Sequence, residues 1–344
     1  MTPINQRRLA NFRANKRGYY ALHVFLVLFV ISLFAEFIAN DKPILFSMDG
    51  SLYLPVWFMY TEVELGGVLE TEAEYTDPFI VDLINEKGWA LWPPIRYTFD
   101  TIDWSLGPPY PHPPGQEHVL GTGGGGTDVV AKLLYGFRLS VLFGVSLTVV
   151  SSLMGILAGA TMGYFGGLVD LIGQRFVEIM NALPVLYLLI IVASVVELNV
   201  FWLLLLLASV SWMALVGLVR AEFLRIRNFE FVRAARGLGV DNFTIMYRHV
   251  LPNAMVATLT YLPFILNASI TTLTSLDFLG FGLPLDSPSL GRLLSTAKSN
   301  LQAPWIGLSV FATLATMLIL LIFIGEAIRD ALDPRKTMGS QQGY

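Results

Sequence analysis

The 344-residue sequence contains no cysteine, which excludes a disulfide framework, a thiolate nucleophile and any cysteine-based metal site. Charge is also scarce. Asp, Glu, Lys and Arg make up 14% of the chain against 54% hydrophobic residues, and the mean hydropathy of +0.61 is too apolar for an ordinary soluble domain. The composition is that of an integral membrane protein. Its four histidines, His23, His112, His118 and His249, are scattered, and no HExxH, GxSxG, EF-hand or GxxxxGKS/T pattern occurs. No catalytic residue, metal, cofactor, nucleotide-binding loop or nucleic-acid partner is therefore expected. A formal GxGxxG at Gly121, Gly123 and Gly126 lacks the hydrophobic strand that a dinucleotide fold places before it, so it reads as a loop.

The charge that is present falls in separate stretches. Residues 41–137 hold 14 of the 26 acidic residues but only four basic ones, Lys42, Lys87, Arg96 and Lys132. Arg7, Arg8, Arg13, Lys16 and Arg17 crowd the N-terminal tail before an apolar run from Gly18 to Ala35, which reads as an uncleaved first span entered from the cytoplasm. Residues 1–40 thus form the N-tail and first helix, and residues 41–135 an extracytoplasmic insert. Pro108, Pro109, Pro111, Pro113 and Pro114 forbid regular helix there and predict extended chain. Trp57, Trp89, Trp92 and Trp104 are costly to leave in water and predict local order.

Residues 136–335 read as a five-helix core. Leu139–Val169 runs 31 residues without a charge, more than the roughly 20 that a crossing needs. Gly155, Gly159 and Gly163 recur on one face of this second span and predict close approach of another helix. Asp170, Arg175 and Glu178 mark a short inside segment, and the Pro184-centred run to Val196 predicts span three, with Glu197 and Asn199 at its outer return. Asn199–Val219, Val250–Leu276 and Ala303–Gly325 predict spans four to six, with Pro263 inside the fifth. Asp277 reads as a capping or loop acid. The tail at 336–344 then lies inside, beside Arg329, Arg335 and Lys336. Fifteen of the 22 Lys and Arg residues fall in segments assigned to the cytoplasm, the bias of the positive-inside rule.

Between spans four and five, at 221–253, lies a basic island. Phe231, Ala234, Ala235 and Leu238 follow i, i+3, i+4, i+7 spacing, which predicts a short helix with this stripe against a partner and Arg233 and Arg236 on another face. Gly239 can end that helix in a left-handed conformation, and Asp241 can cap a second through Phe243, Met246 and Tyr247. Pro252 then predicts a stop near Leu251.

Arg233-Ala234-Ala235, Gly239 and Val250-Leu251-Pro252 have the order and spacing of the EAA loop of binding-protein-dependent ABC importer permeases, with Arg233 where that family carries glutamate. Leu120-Gly121-Thr122, Asp128, Leu134-Tyr135-Gly136 and Arg138, then Phe278-Leu279-Gly280-Phe281-Gly282, Ala303-Pro304-Trp305 and Arg329–Arg335, resemble its oligopeptide and dipeptide branch. The long insert is most similar to the Yej-type members of that branch, associated with oligopeptides and microcin C-like conjugates. The resemblance implies an all-α membrane protein of the type I importer permease fold, with six transmembrane helices and a largely irregular insert. It implies a multi-pass protein of the bacterial inner membrane with both termini cytoplasmic. The partners implied are a second, homologous permease subunit, a cytoplasmic ATPase that alone binds ATP, a periplasmic peptide-binding protein, and membrane lipid. The ATPase-coupling residues implied are Phe231, Arg233, Ala234, Ala235, Arg236, Gly239, Val250, Leu251 and Pro252. From the residues alone two other classes stay open. A secondary transporter would carry ionisable residues near span midpoints, which are not evident. A membrane-anchored docking subunit without a pore would not need six spans.

Overall fold

The computed structural model describes residues 3–196, 199–284 and 286–332. Glu197 of the expected outer return, and Arg335, Lys336 and the 336–344 tail, lie outside the described residues. The chain divides into two compact units, one of residues 1–26, 141–284 and 315–344, the other of residues 27–140 and 285–314.

Helices α1 (Pro3–Ala14) and α2 (Lys16–Leu33) are separated at Asn15, whose side-chain oxygen accepts from the Gly18 N–H at 3.2 Å. A short α3 (Ala35–Ile38) leads into the insert. There β1 (Leu45–Met48) and β2 (Ser51–Tyr53) form a hairpin, and after α4 (Pro78–Lys87) strand β3 (Gly88–Leu91) pairs on the other side of β1, giving an antiparallel sheet of order β2-β1-β3. Met48 opposes Ser51, so the turn is the two-residue Asp49-Gly50, with φ of 52° and 80°. Such a turn needs positive φ at both positions, which this dipeptide supplies. Asp77 caps α4 by accepting from the Phe79 N–H at 2.9 Å, and Pro78 follows where its missing N–H costs nothing.

Of the four tryptophans expected to order the insert, only Trp92 packs against its core. Trp57, Trp89 and Trp104 are all more than half exposed, and the core is instead Phe46, Met48, Leu65, Tyr75, Ile80 and Ile84, packed between sheet and helix. The proline-rich end is tied down locally: Tyr110 Oη donates to the Asp103 carbonyl at 2.9 Å and Thr122 Oγ1 accepts from the His112 N–H at 2.8 Å. Helix α5 (Val129–Phe165) begins after Asp128, whose carboxylate accepts from the Ala131 N–H at 2.8 Å.

After α5 the chain turns at Gly166, φ 66°, into α6 (Gly167–Ala182) and α7 (Val185–Ala193), which meet at 69°. Leu183 is extended, the conformation forced on a residue before proline, and Pro184 lacks the N–H that would continue α6. The expected third span is thus a bent pair with Pro184 at its joint, and the expected short inside segment is itself helical. Helices α8 (Val200–Ser211) and α9 (Met213–Ile226) together make an apolar stretch that passes the expected end at Val219. Arg220 is admitted into it because its guanidinium makes a two-pronged pair with Asp170 of α6, Nη2 to Oδ2 at 2.6 Å.

The remaining elements are α10 (Glu230–Gly237), α11 (Asn242–Thr244), a π-helical turn (Ile245–Val250), α12 (Leu251–Leu279), α13 (Leu290–Ser299) and α14 (Pro304–Leu332). Among the described residues five helical stretches are long and apolar enough to cross a membrane, and six if the bent α6–α7 pair counts as one span. Gly280, φ 83°, ends α12, and Asp277 inside its last turn accepts from the Leu283 N–H at 2.7 Å, the loop-holding role its position suggests.

Candidate functional site

The glycines of α5 set the position of α9. A methyl group at Gly155, Gly159 or Gly163 would lie 2.6, 2.8 and 2.6 Å from the carbonyl oxygens of Trp212, Val216 and Arg220. Backbone therefore rests on backbone along three successive turns, an approach open only to glycine at these positions. Where α5 ends, Arg227 Nη1 donates to the carbonyls of Gly163 and Tyr164 at 3.2 and 3.1 Å, satisfying two acceptors the helix leaves open.

From this frame the chain enters α10. Phe229 precedes it in an extended conformation, and Val232 and Ala235 bury one face in a core with Tyr164, Val219, Phe223, Ile245 and Val250. Tyr164 Oη donates to Asn242 Oδ1 at 2.8 Å, and the Arg236 guanidinium lies 5.8 Å from the centre of the Tyr164 ring. One buried tyrosine thereby holds both α10 and α11. Helix α10 stops as the sequence indicates. Gly239 adopts φ 80°, its N–H donates to Arg236 O at 3.0 Å, and the Val240 N–H reaches back to Ala235 O at 3.2 Å, the paired bonds of a Schellman ending. Asp241 then caps α11 by accepting from the Thr244 N–H at 2.8 Å. The bonds from Thr244 hold its carboxyl below the usual carboxylate range.

Two expectations for this loop are corrected. The apolar stripe is not wholly free for a partner: Ala235 is buried against the protein's own core, whereas Phe231, Ala234 and Leu238 are exposed, as are Arg233 and Arg236. Val232, which the stripe omitted, is fully buried. Nor does the helix stop at Leu251. The chain winds without interruption from Asn242 to Leu279, and the Leu251 N–H bonds to Met246 O, five residues back. This widened turn sets Pro252 at the second position of α12, where the ring needs no N–H, and Asn253 Nδ2 donates to the His249 carbonyl at 2.8 Å.

The nine expected coupling residues therefore divide by role. Phe231, Arg233, Ala234, Arg236, Gly239 and Pro252 are exposed, Leu251 is half-buried, and Ala235 and Val250 are structural. Three exposed aromatics absent from that set stand with them: Phe229, set edge-on to Phe231, and Phe243 stacked parallel to Tyr247 at 6.4 Å. Leu238 is 84% and Phe243 75% exposed. Apolar groups held this far out on a packed support make a surface suited to receiving another molecule.

A protein-family model described as "Binding-protein-dependent transport system inner membrane component" matches residues 155–338. The chain is 56% identical over 338 residues to the inner membrane ABC transporter permease protein YejE of Escherichia coli (strain K12), covering 98% of this chain and 99% of that relative. It is 53% identical over 360 residues to the peptidoglycan transport system permease protein YejE of Agrobacterium fabrum (strain C58), covering 98% and 94%. The oligopeptide transport system permease protein OppC of Haemophilus influenzae matches at 31% over 258 residues, covering 75% and 81%.

Proposed function

The chain belongs to the family of binding-protein-dependent transport system inner membrane components and is a permease subunit of an ABC importer for peptides; we propose that its Glu230–Val250 loop receives a separate ATPase subunit. The observation that carries this reading is the exposed set Phe231, Leu238, Phe243 and Tyr247, held out from a core shared with α5, α9 and α12. The sequence has no nucleotide-binding loop, so closure of the ATPase subunits elsewhere moves this loop and the helices behind it as one body. With both termini and the loop in the cytoplasm, the insert faces a peptide-binding protein on the other side of the inner membrane, and a second, related permease completes the pathway. The cargo is peptide-like; microcin C-type conjugates fall within that class. The peptidoglycan wording of one relative's name supports peptides that carry other groups. The test is purification of the intact complex from membranes, followed by ATP-driven uptake of a labelled oligopeptide into vesicles with ion gradients collapsed. Co-purification of an ATPase and gradient-independent uptake are expected. Uptake that stops when the gradients collapse would replace this reading with secondary transport.

A further inference from the structure

An ion pair marks one edge of the membrane-crossing layer. Glu36 follows the apolar run Gly18–Ala35, Arg138 stands just before the 31 uncharged residues of the second span, and Arg138 Nη1 donates to both oxygens of the Glu36 carboxylate at 2.8 and 2.9 Å. The last charges of two spans therefore meet at one height, and the apolar layer begins there. Phe37, next to Glu36, shares that height.

A turn of the insert reaches the same level. The Leu54 carbonyl accepts from the Trp57 and Phe58 N–H groups at 3.1 and 3.0 Å, and the Leu54 N–H donates to Tyr60 Oη at 3.3 Å. Tyr60 is set edge-on to Tyr53, whose ring stacks at 4.7 Å on Phe46 of the insert's core. The base of the turn is thus fastened. At its tip Trp57, Phe58 and Met59 are 58%, 58% and 73% exposed, within residues 50–61, which carry no charge. The Trp57 ring meets Phe37 edge-on, 5.2 Å between centres, which sets the exposed tip beside the Glu36–Arg138 pair. The residue types suit that place. Large apolar groups are costly in water, and Trp57 pairs an apolar body with an indole N–H that makes no hydrogen bond among the described residues, the combination that settles where hydrocarbon gives way to headgroups.

We propose that the Trp57–Met59 turn is an interfacial anchor, bedded in the lipid surface beside the first span and holding the insert against the bilayer. Only the span positions enter this placement; the side of the membrane and the contact with an ATPase do not. The cysteine-free chain allows a single reporter in the full-length permease, purified with the chains that accompany it into phosphatidylcholine–phosphatidylglycerol nanodiscs. Phe58→Cys, Met59→Cys and, as reference, Trp104→Cys are each labelled with a nitrobenzoxadiazole fluorophore. Trp104 is exposed too, but Asp103 beside it is tied through His118 to Asp128, about 15 Å from Arg138 along α5 at 1.5 Å per residue. Labels at 58 and 59 are expected to lose emission to lipid carrying a nitroxide near its headgroup and to resist aqueous iodide, and the label at 104 to do the reverse. Because the label is itself apolar, Trp57→Ser is added behind the Met59→Cys reporter. Circular dichroism should stay unchanged, since Trp57 supports no core, while the loss to the lipid quencher shrinks and the loss to iodide grows. Iodide reaching 58 and 59 as freely as 104 would overturn the proposal, as would lipid quenching at 59 unaltered by Trp57→Ser. Protection from both quenchers would also overturn it, by placing a protein partner on the turn.

Discussion

Replacing Gly239 with valine isolates the backbone of the loop from its contacts. A methyl group on Gly239 meets nothing within 4 Å, so the substitution makes no clash and its cost is conformational. At φ 80° an ordinary L-residue loses about 1–2 kcal/mol and a β-branched one more. Relaxing that angle instead gives up the bonds from Gly239 N–H to Arg236 O and from Val240 N–H to Ala235 O, each worth about 1 kcal/mol. Strain and lost bonds are alternatives, so the relaxed route at about 2 kcal/mol sets an upper limit of about 30-fold on the loss of the docking-competent loop. The core behind it, from Tyr164 to Val250, is untouched, so insertion and abundance should be normal. The assay is ATP-driven uptake in vesicles together with the amount of ATPase retained on the purified permease, for Gly239→Val and for Gly239→Asn. Asparagine tolerates the left-handed region and should recover most of the activity. Full uptake by the valine variant, or an asparagine variant as poor as valine, would refute the reasoning.

Leu238→Asp and Phe243→Asp alter exposed side chains only, so each should cut ATPase retention at least tenfold while leaving the thermal midpoint of the isolated permease unchanged. Gly159→Ala should lower that midpoint by an amount equivalent to about 1–3 kcal/mol, because its methyl group meets the Val216 carbonyl at 2.8 Å; Gly217→Ala, with open space around it, should not. In the insert, burial opposes the His118 imidazolium, but bonds to Asp128 at 2.7 Å and Asp103 at 3.1 Å outweigh it and raise the pKa above 6.5. A raised histidine stabilises fully below its unfolded value, and the contribution disappears as pH rises through the folded one. Asp103 runs the other way: burial raises it, the bonds from Ser105, His118 and Tyr97 prevail and lower it, and its contribution disappears only as pH falls through that lowered value. Thermal melts of the full chain should therefore show the insert more stable on the acid side of the histidine range than on the alkaline side, and His118→Gln should abolish the difference.

The loop shows which features were legible in the sequence and which were not. Gly239 and Asp241 act through their own backbone and the three residues beside them, so identity and spacing suffice. The division of α10 is a different problem. It has apolar residues on both sides, and whether Val232 or Phe231 turns inward depends on where α5 and α9 stand, which no window of eight residues contains. The π turn at 245–250 is hidden for the same reason, since it accommodates Pro252 by a register change spread across a helix that looks ordinary residue by residue. In the insert, the Asp49-Gly50 hairpin is written locally in FSMDGSLY, where apolar residues flank a dipeptide suited to positive φ. The pairing of β1 with β3 spans some 40 residues and leaves no comparable mark. The glycines of α5 announced a close partner without naming it; only the fold identifies α9.

That contact of bare backbones governs how force travels. Side chains between two helices can swap rotamers and let one helix creep past the other, but the carbonyls of Trp212, Val216 and Arg220 seated on glycine leave nothing to rearrange. Sliding by less than a full turn would drive methylene and carbonyl groups into one another. Helices α5 and α9, joined also by Arg227 and with α10 tied to them through Tyr164, consequently behave as a single strut. On the coupling role proposed for the loop, a push there moves these two helices together, and any give lies at a joint elsewhere in the chain. Leu183 and Pro184, where α6 and α7 meet at 69° with no continuous helical bonding between them, supply such a joint.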